Sequence, residues 1–487
     1  MNNERLFNML IDSFNSKSVA VIEKTRSWSY TEFMQYSLFA RDYFIANQTE
    51  RVLLVLPQGF LSYCIIVGAY LANTVFCPVN PKNPAERVVY FADVFQPSLI
   101  ISDSFSSNTQ KSSDIIGLSE YFSDVGDYTP DLTKNYSSDG LAYVMFTSGS
   151  TGMPKGVQIS RRALENFLTY TIKAWGIDSN DVFGQYSNLG FDLSMADIFV
   201  SVLCGATLVP ISSESEKLLP GKMIEKHKMT FWHSVPSVID LLARANSLKP
   251  SVLSSLKKVS FCGERLFKSQ LDSLFEVNND LIVFNTYGPT EATIFCSLVE
   301  LTQVSYSRYS DNTISIGKQI DGMELILDDT DEDGISELIL SGCNISDGYL
   351  SDDDTQSAFF QRLIDGELTS CYQTGDYVYV KNDMIFFHGR RDSQIKRMGN
   401  RIDLSEIDHC IRTYTGKATS TIVQNEKVIS FIERGDYSEN DVYEILRSKL
   451  PDYYIPQQIV VLDKLPLNSS GKIDNRALQE VQNESYL

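Results

Sequence analysis

The chain has 487 residues, too many for one hydrophobic core, and 43% of them are hydrophobic, as in an ordinary soluble globular protein, so two or three domains are expected. A formal net charge of −20 argues against nucleic acid or an anionic membrane surface as a partner, because both are bound through basic patches. The cysteines at 64, 77, 204, 262, 296, 343, 371 and 410 form no C-x-x-C pair and no cluster with the four histidines, which argues against a disulfide framework or a zinc site and fits a reducing cytoplasm.

The first fifteen residues mix Glu4, Arg5 and Asp12 with apolar side chains and lack the apolar core of a signal peptide. No charge occurs between Arg51 and Lys82, yet Pro57, Gly59, Asn73, Pro78, Asn80 and Pro81 divide that stretch into a strand, a helix of about a dozen residues and a second strand, each too short to cross a bilayer. Membrane insertion is therefore not expected. Strands are predicted at 52–56, 99–102, 207–210, 259–262 and 281–285, and Ser160 reads as the N-cap of a helix burying Ala163, Leu164, Phe167, Leu168, Thr171 and Ile172. This alternation predicts an α/β fold with largely parallel sheets. Residues 104–138 are polar and read as a surface excursion. Ser405 and Ser438 read as N-caps of helices in a smaller unit formed by the last hundred or so residues.

The most informative stretch is 141–156. Leu141 to Phe146 reads as a buried strand, and it empties into Thr147-Ser-Gly-Ser-Thr-Gly-Met-Pro-Lys-Gly156. Gly149, Gly152 and Gly156 allow backbone N–H groups to approach an anion, Thr147, Ser148, Ser150 and Thr151 add hydroxyl donors, and Lys155 adds a charge. The pattern is not a Walker A loop, which needs Gly-Lys followed directly by Ser or Thr. A short Ser/Thr/Gly segment can equally be a connector. Over all sixteen residues, however, it resembles the phosphate loop of the adenylate-forming enzymes, amino-acid adenylation domains especially, and the resemblance extends from Trp28-Ser-Tyr-Thr-Glu32 to Lys472. It implies a large N-terminal domain of parallel and mixed sheets with helices (1–391), a small mobile C-terminal α+β domain (392–487), and ATP with Mg²⁺. With a chain so acidic, ATP must be held by local groups.

Four further motifs carry the resemblance. Asn285-Thr-Tyr-Gly-Pro-Thr-Glu-Ala-Thr293 follows a strand. A Gly-Pro turn beside a Glu is by itself ordinary structure, but the resemblance places Asn285, Thr286, Tyr287, Gly288 and Thr290 around the nucleotide, Tyr287 against adenine, and Glu291 with Thr151 on Mg²⁺. Tyr372-Gln-Thr-Gly-Asp376 offers either a turn-forming Asp or the Asp that binds both ribose hydroxyls. Phe386-Phe-His-Gly-Arg-Arg-Asp392 contains solvated linker charges or, by resemblance, the nucleotide-contacting Arg390 and the hinge Asp392. In Leu465-Pro-Leu-Asn-Ser-Ser-Gly-Lys-Ile-Asp474, Lys472 matches the catalytic lysine that contacts ATP and the substrate carboxylate. A mobile cation suits the chemistry, since attack of a carboxylate on the α-phosphorus brings two anions together.

The acid is indicated by Phe191-Asp-Leu-Ser194. An Asp at a helix start is commonly a cap, but Asp192 matches the family's anchor for an α-ammonium, so an amino acid is implied. Ser260-Phe-Cys-Gly-Glu264 matches the D-alanine–D-alanyl carrier protein ligases, in which the residue matching Cys262 crowds the α-carbon and favours the D enantiomer; a buried Cys can also be mere packing. Leu193, Ala196, Ser234, Ile294 and Phe295 complete a small apolar pocket, with Ala196 smaller and Phe295 larger than those ligases lead one to expect. No Gly-Gly-x-Ser attachment site follows Lys472, so the resemblance implies a phosphopantetheinylated carrier protein acting in trans. The alternatives are a stand-alone adenylation enzyme for another amino acid, L- or non-proteinogenic, in natural-product biosynthesis, and an acyl-CoA ligase.

Overall fold

The computed structural model describes residues 9–13, 18–104, 114–129, 139–148, 153–351, 358–364, 366–390, 394–397, 400–424, 427–466, 473–475 and 477–479. Three of the expected functional residues, Thr151, Asp392 and Lys472, lie outside them. The chain forms two compact units, one of Met1–Pro81, Ala92–Phe146 and Gly156–Gly389, the other of Lys82–Phe91, Thr147–Lys155 and Arg390–Leu487.

The first unit is built on a nine-stranded sheet in the order Lys318–Gln319, Ser297–Leu301, Ile282–Tyr287, Lys258–Phe261, Phe231–Ser234, Val182–Gln185, Thr207–Pro210, Val19–Glu23 and Arg26–Ser29. From Ile282–Tyr287 to Val19–Glu23 the pairing is parallel. Parallel neighbours cannot be joined by tight turns, and the helices Leu193–Leu203, Ser237–Arg244 and Lys268–Val277 supply the crossovers. A second, six-stranded sheet takes the charge-free run as Arg51–Val55, the twelve-residue helix Phe60–Leu71, and Val75–Val79, with Leu141–Thr147 beside the latter. One core spans both sheets, including Phe33, Phe60, Phe76, Tyr143, Phe167 and Phe231. Among the described residues no helix is long and apolar enough to cross a membrane.

A third sheet, made of Met323–Asp328, Ile335–Gly342, Phe359–Ile364, Glu367–Lys381 and Met384–Arg390, was not anticipated. The first four of these strands pair antiparallel. Phe359–Ile364 is exposed at its four central residues and part of Glu367–Lys381 alternates buried with half-buried positions, so these strands lack the continuous apolar run that marks a buried parallel strand.

In the second unit the hairpin Gln394–Arg397 and Asn400–Asp403 and the sheet Thr419–Gln424, Lys427–Glu433 and Gln458–Leu462 accompany the helices Leu404–Thr415 and Glu439–Lys449, an α+β arrangement. Ile402, Ile407, Val428, Ile432, Val442 and Leu446 form its core. Ser438 caps its helix in a reciprocal box with Asp441. Ser405 does not cap: the cap lies two residues earlier, at Asp403, the helix begins at Leu404, and the Asp403 side chain accepts from the Ser405 amide. Asp403 is fully buried, where a polar side chain left without such a bond would be costly. The 104–138 reading also needs correction, because Asp114–Ile116 pairs with Leu99–Ser102 and Leu118, Tyr121, Phe122 and Val125 are buried. Apolar residues this sparse show no period until a neighbouring element covers them.

Helix Phe60–Leu71 crosses helix Tyr30–Ala46 where Gly68 meets Ala40 and Ser37; a Cβ on Gly68 would stand 2.5 Å from the Ala40 Cβ and 2.6 Å from the Ser37 carbonyl oxygen. Alanine favours a helix interior by about 1 kcal/mol over glycine, but overpacking costs about 1–3 kcal/mol. Gly68→Ala is therefore expected to destabilise the protein by up to about 2 kcal/mol, read as a lower urea midpoint; a gain in stability would show that the two helices can separate.

Candidate active site

The parallel strands of the large sheet end on the same side at Gln185, Ser234, Phe261 and Tyr287, and ligand sites of open α/β sheets form at such carboxyl ends. After Gln185 the chain is held by Gln58, whose Nε2 donates to the Gln185 carbonyl at 2.9 Å, and by Tyr63, whose hydroxyl donates to Gln185 Oε1 at 2.9 Å. It then reaches Asp192, buried at the head of helix Leu193–Leu203. The Asp192 side chain makes no capping hydrogen bond to that helix, so the simple cap reading does not account for it. Burial, with the Asp192 charge adding to it, pushes the Tyr143 hydroxyl well above its ordinary pKa, and that hydroxyl has no hydrogen-bond partner among the described residues.

Cys262 stands one residue beyond strand Lys258–Phe261, its amide donating to the Ser234 carbonyl at 3.1 Å and its side chain buried. Leu193, Ala196, Ser234, Ile294 and Phe295 are buried as well. The Phe295 ring packs edge-on against Phe167 at 4.7 Å and lies 5.9 Å from the Trp175 ring, so it fills core volume.

Strand Ile282–Tyr287 delivers the second cluster. Asn285 donates to the Ser315 carbonyl at 2.8 Å and Thr286 to the Phe261 carbonyl at 3.0 Å, which orients the strand end. The Tyr287 hydroxyl donates to the Asp376 carboxylate, and the Asp376 amide donates to Thr374 Oγ1 at 2.9 Å. Thr290 opens the short helical turn Thr290–Ala292, in which Glu291 is fully buried and accepts from the Tyr349 hydroxyl at 2.8 Å. Thr293 and Ile294 follow with φ of 58° and 73°. Two successive β-branched residues in the left-handed region store about 1–3 kcal/mol each. They are held by the Thr293 hydroxyl on the Asn344 carbonyl, at 2.8 Å, and by the Cys296 amide on the Tyr287 carbonyl, at 2.8 Å.

Asp192, Cys262, the Asn285–Glu291 segment, Ile294 and Asp376 thus all belong to the first unit. Thr147 ends strand Leu141–Thr147, Ser148 follows it, Lys155 opens strand Lys155–Ser160, and Arg390 ends strand Met384–Arg390; these four belong to the second unit. Sequence reasoning missed Tyr143, Tyr349 and the buried pair Asp197 and His233. Tyr143 left a signal, since a hydroxyl inside an apolar strand needs a polar neighbour; Tyr349 and Asp197 are distant in sequence from their partners and left none.

A sequence profile described as AMP-binding enzyme matches residues 13–350. The chain is 30% identical over 450 residues to the D-alanine–D-alanyl carrier protein ligase of Bacillus cereus (strain G9842), covering 87% of each chain, and 29% identical over 449 residues to that of Bacillus mycoides (strain KBAB4), again with 87% of each covered. Among solved structures it superposes on the Vibrio cholerae adenylation domain AlmE in complex with glycyl-adenosine-5'-phosphate with a TM-score of 0.84 at 25% identity, covering 99% of this chain and 98% of that one. The Klebsiella oxytoca NpsA-ThdA adenylation-PCP fusion shares the fold, with a TM-score of 0.80 at 20% identity over 93% and 92% of the two chains. The chain belongs to the AMP-binding enzyme family, and it is an AMP-forming, adenylate-forming ligase that uses ATP.

Gly288 sits where the turn doubles back. A Cβ there would lie 2.5 Å from the Phe295 Cα and 2.9 Å from the Cys296 amide nitrogen, both backbone atoms that cannot swing aside. Gly288→Ala is expected to displace Tyr287 and Glu291 together and to lower ATP–pyrophosphate exchange on the order of a hundredfold, the scale of a misplacement of about 1 Å. Exchange within twofold of wild type would show that the turn is not part of the active geometry.

Proposed function

We propose that this ligase activates a small amino acid, in the first instance D-alanine, and transfers it to the phosphopantetheine thiol of a separate carrier protein. In the first half-reaction the substrate carboxylate oxygen attacks the α-phosphorus of ATP; the P–O bond to the leaving pyrophosphate breaks and aminoacyl-AMP forms. In the second, the thiol displaces AMP and becomes a thioester.

The observation that carries this reading is the buried Asp192 carboxylate at the head of helix Leu193–Leu203, close enough to Tyr143 for its charge to act on that hydroxyl, where a substrate α-ammonium would be recognised by its charge. Relatives named as D-alanine–D-alanyl carrier protein ligases support the substrate and the transfer step. Asn285, Thr286, Tyr287, Gly288, Thr290 and Arg390 would border the nucleotide, Asp376 would receive the ribose hydroxyls, and Thr147, Ser148, Thr151 and Lys155 would meet the phosphates. Cys262 and Ile294 would border the α-carbon. Glu291 fits Mg²⁺, a hard cation that needs only one or two carboxylates when phosphate oxygens and water complete its shell, and Tyr349 already orients one Glu291 oxygen. When bound with Thr151 and Glu291, Mg²⁺ would neutralise phosphate charge. Lys472 would supply the cation at the attacking carboxylate.

Glycine is a second reading. It is favoured by the glycyl adenylate held by AlmE.

ATP–pyrophosphate exchange over a panel of D- and L-amino acids tests the proposal. D-alanine or glycine should give the highest kcat/KM, and Asp192→Ala should lower it by about 3–5 kcal/mol of transition-state binding, the cost of removing one partner of a buried ion pair. Propionate, which lacks the amine, should lose its relative disadvantage in that variant. Best activity with an L-amino acid, or unchanged discrimination between alanine and propionate, removes the substrate assignment.

Lys472 separates the half-reactions. Lys472→Ala should abolish exchange while leaving thioester formation from supplied aminoacyl-adenylate intact, because the cation is needed only where two anions meet. Equal loss in both steps would remove that division of labour.

A further inference from the structure

The helix Leu193–Leu203, which begins beside the proposed amine anchor, is buried along its whole length. A helix that is apolar all round has no polar face to fix its rotation about its own axis. Its serines bond only to nearby carbonyls, Ser194 to those of Leu189 and Phe191 and Ser201 to that of Ile198, and at its far end the Tyr30 hydroxyl donates to the Ser201 carbonyl at 3.1 Å. Among the described residues, its one side-chain to side-chain hydrogen bond joins Asp197 Oδ1 to His233 Nδ1, 2.7 Å apart, on strand Phe231–Ser234. Both side chains have no solvent exposure, and the Trp175 ring packs edge-on against the imidazole at 5.1 Å.

The pair is a poor stabilising device. Asp197 Oδ2, His233 Nε2 and Trp175 Nε1 are buried with no hydrogen-bond partner among the described residues, a penalty that apolar side chains of similar volume would avoid. Buried polar pairs that cost stability are best attested as devices that select one register among several. Here the register matters at both ends. Asp192 lies five residues before Asp197, Ala196 immediately before it, and Ser234 immediately after His233.

We propose that the Asp197–His233 hydrogen bond is a positioning device that sets the rotation of helix Leu193–Leu203, and thereby places Asp192 and Ala196 for the substrate's ammonium and side chain. The inference rests on the reading of Asp192 as the amine anchor. His233 and Asp197 touch no substrate; they act through the helix. A defect in them should therefore fall on the amino acid and spare the nucleotide, whereas general loosening of the fold would affect both.

The experiment compares Asp197→Leu/His233→Leu with Asp197→Asn, which keeps an acceptor for His233 Nδ1–H, in ATP–pyrophosphate exchange on the full chain. The apolar double variant should melt at or above the wild-type temperature, yet raise the amino-acid KM about tenfold or more with the ATP KM within about twofold, as expected when one substrate's alignment is lost. Asp197→Asn should return the amino-acid KM to within about threefold of wild type. An unchanged amino-acid KM, an equal rise in both KM values, or no rescue by Asp197→Asn overturns the proposal. Should the double variant not fold, His233→Phe and His233→Gln are compared by the same ratio, and equal values for the two overturn it. Exchange in the wild type that Asp192→Ala leaves unaltered overturns the anchor reading and this inference together; exchange abolished by Asp192→Ala but indifferent to the pair overturns this inference alone.

Discussion

Parallel pairing of Ile282–Tyr287, Lys258–Phe261, Phe231–Ser234 and Val182–Gln185 is the constraint on which the rest depends. Each parallel step requires a crossover on a face of the sheet, so every strand runs the same way and every carboxyl end arrives at the same edge. Cys262, Ser234, Tyr287 and the loop to Asp192 lie beside one another for this reason alone. They are separated by dozens of residues in the chain and by single strand spacings in space. The residues that follow the strands are free to be polar because the strands themselves supply the core: Phe183, Phe231, Val259 and Val283 are all fully or almost fully buried.

The Tyr287–Asp376 hydrogen bond joins this parallel sheet to the antiparallel one, which carries Asp376 on its fifteen-residue strand Glu367–Lys381. That strand pairs with Phe359–Ile364 up to Tyr372 and with Ile335–Gly342 on both sides of a register irregularity between Gln373 and Tyr377, and Asp376 sits in that irregularity, with regular pairing before and after it. Rigid support is what a site needs when its chemistry depends on placement. The same logic explains the Thr293–Ile294 conformation. An isolated chain would relax out of it, but bonds from Thr293 to the Asn344 carbonyl and from Ser346 to the Glu291 carbonyl hold both sides of the turn.

Charge is arranged locally within an acidic chain. The net charge of −20 gives no general attraction for a nucleotide, so a nucleotide would have to be held by local groups. Buried carboxylates, by contrast, each have an assigned partner or neighbour: Glu291 has Tyr349, Asp376 has Tyr287, and Asp197 has His233. Burial raises the Asp197 carboxyl above its ordinary pKa while the imidazole opposes the rise.

The sequence by itself determined the α/β class, the strands at 99–102 and 207–210 to the residue, and the Ser160 and Ser438 caps, because strand runs and caps are encoded by neighbours within a few residues. It also carried the family, since sixteen consecutive residues of loop chemistry leave little freedom. Only the tertiary structure decided that Asp403 and not Ser405 caps its helix, that Leu118 to Val125 are packed, and that a third, antiparallel sheet carries Asp376. It alone paired Tyr349 with Glu291 and His233 with Asp197, 58 and 36 residues apart. Such contacts have no local period or propensity: they exist only once the crossovers have brought distant strands to a common edge and excluded water from between them.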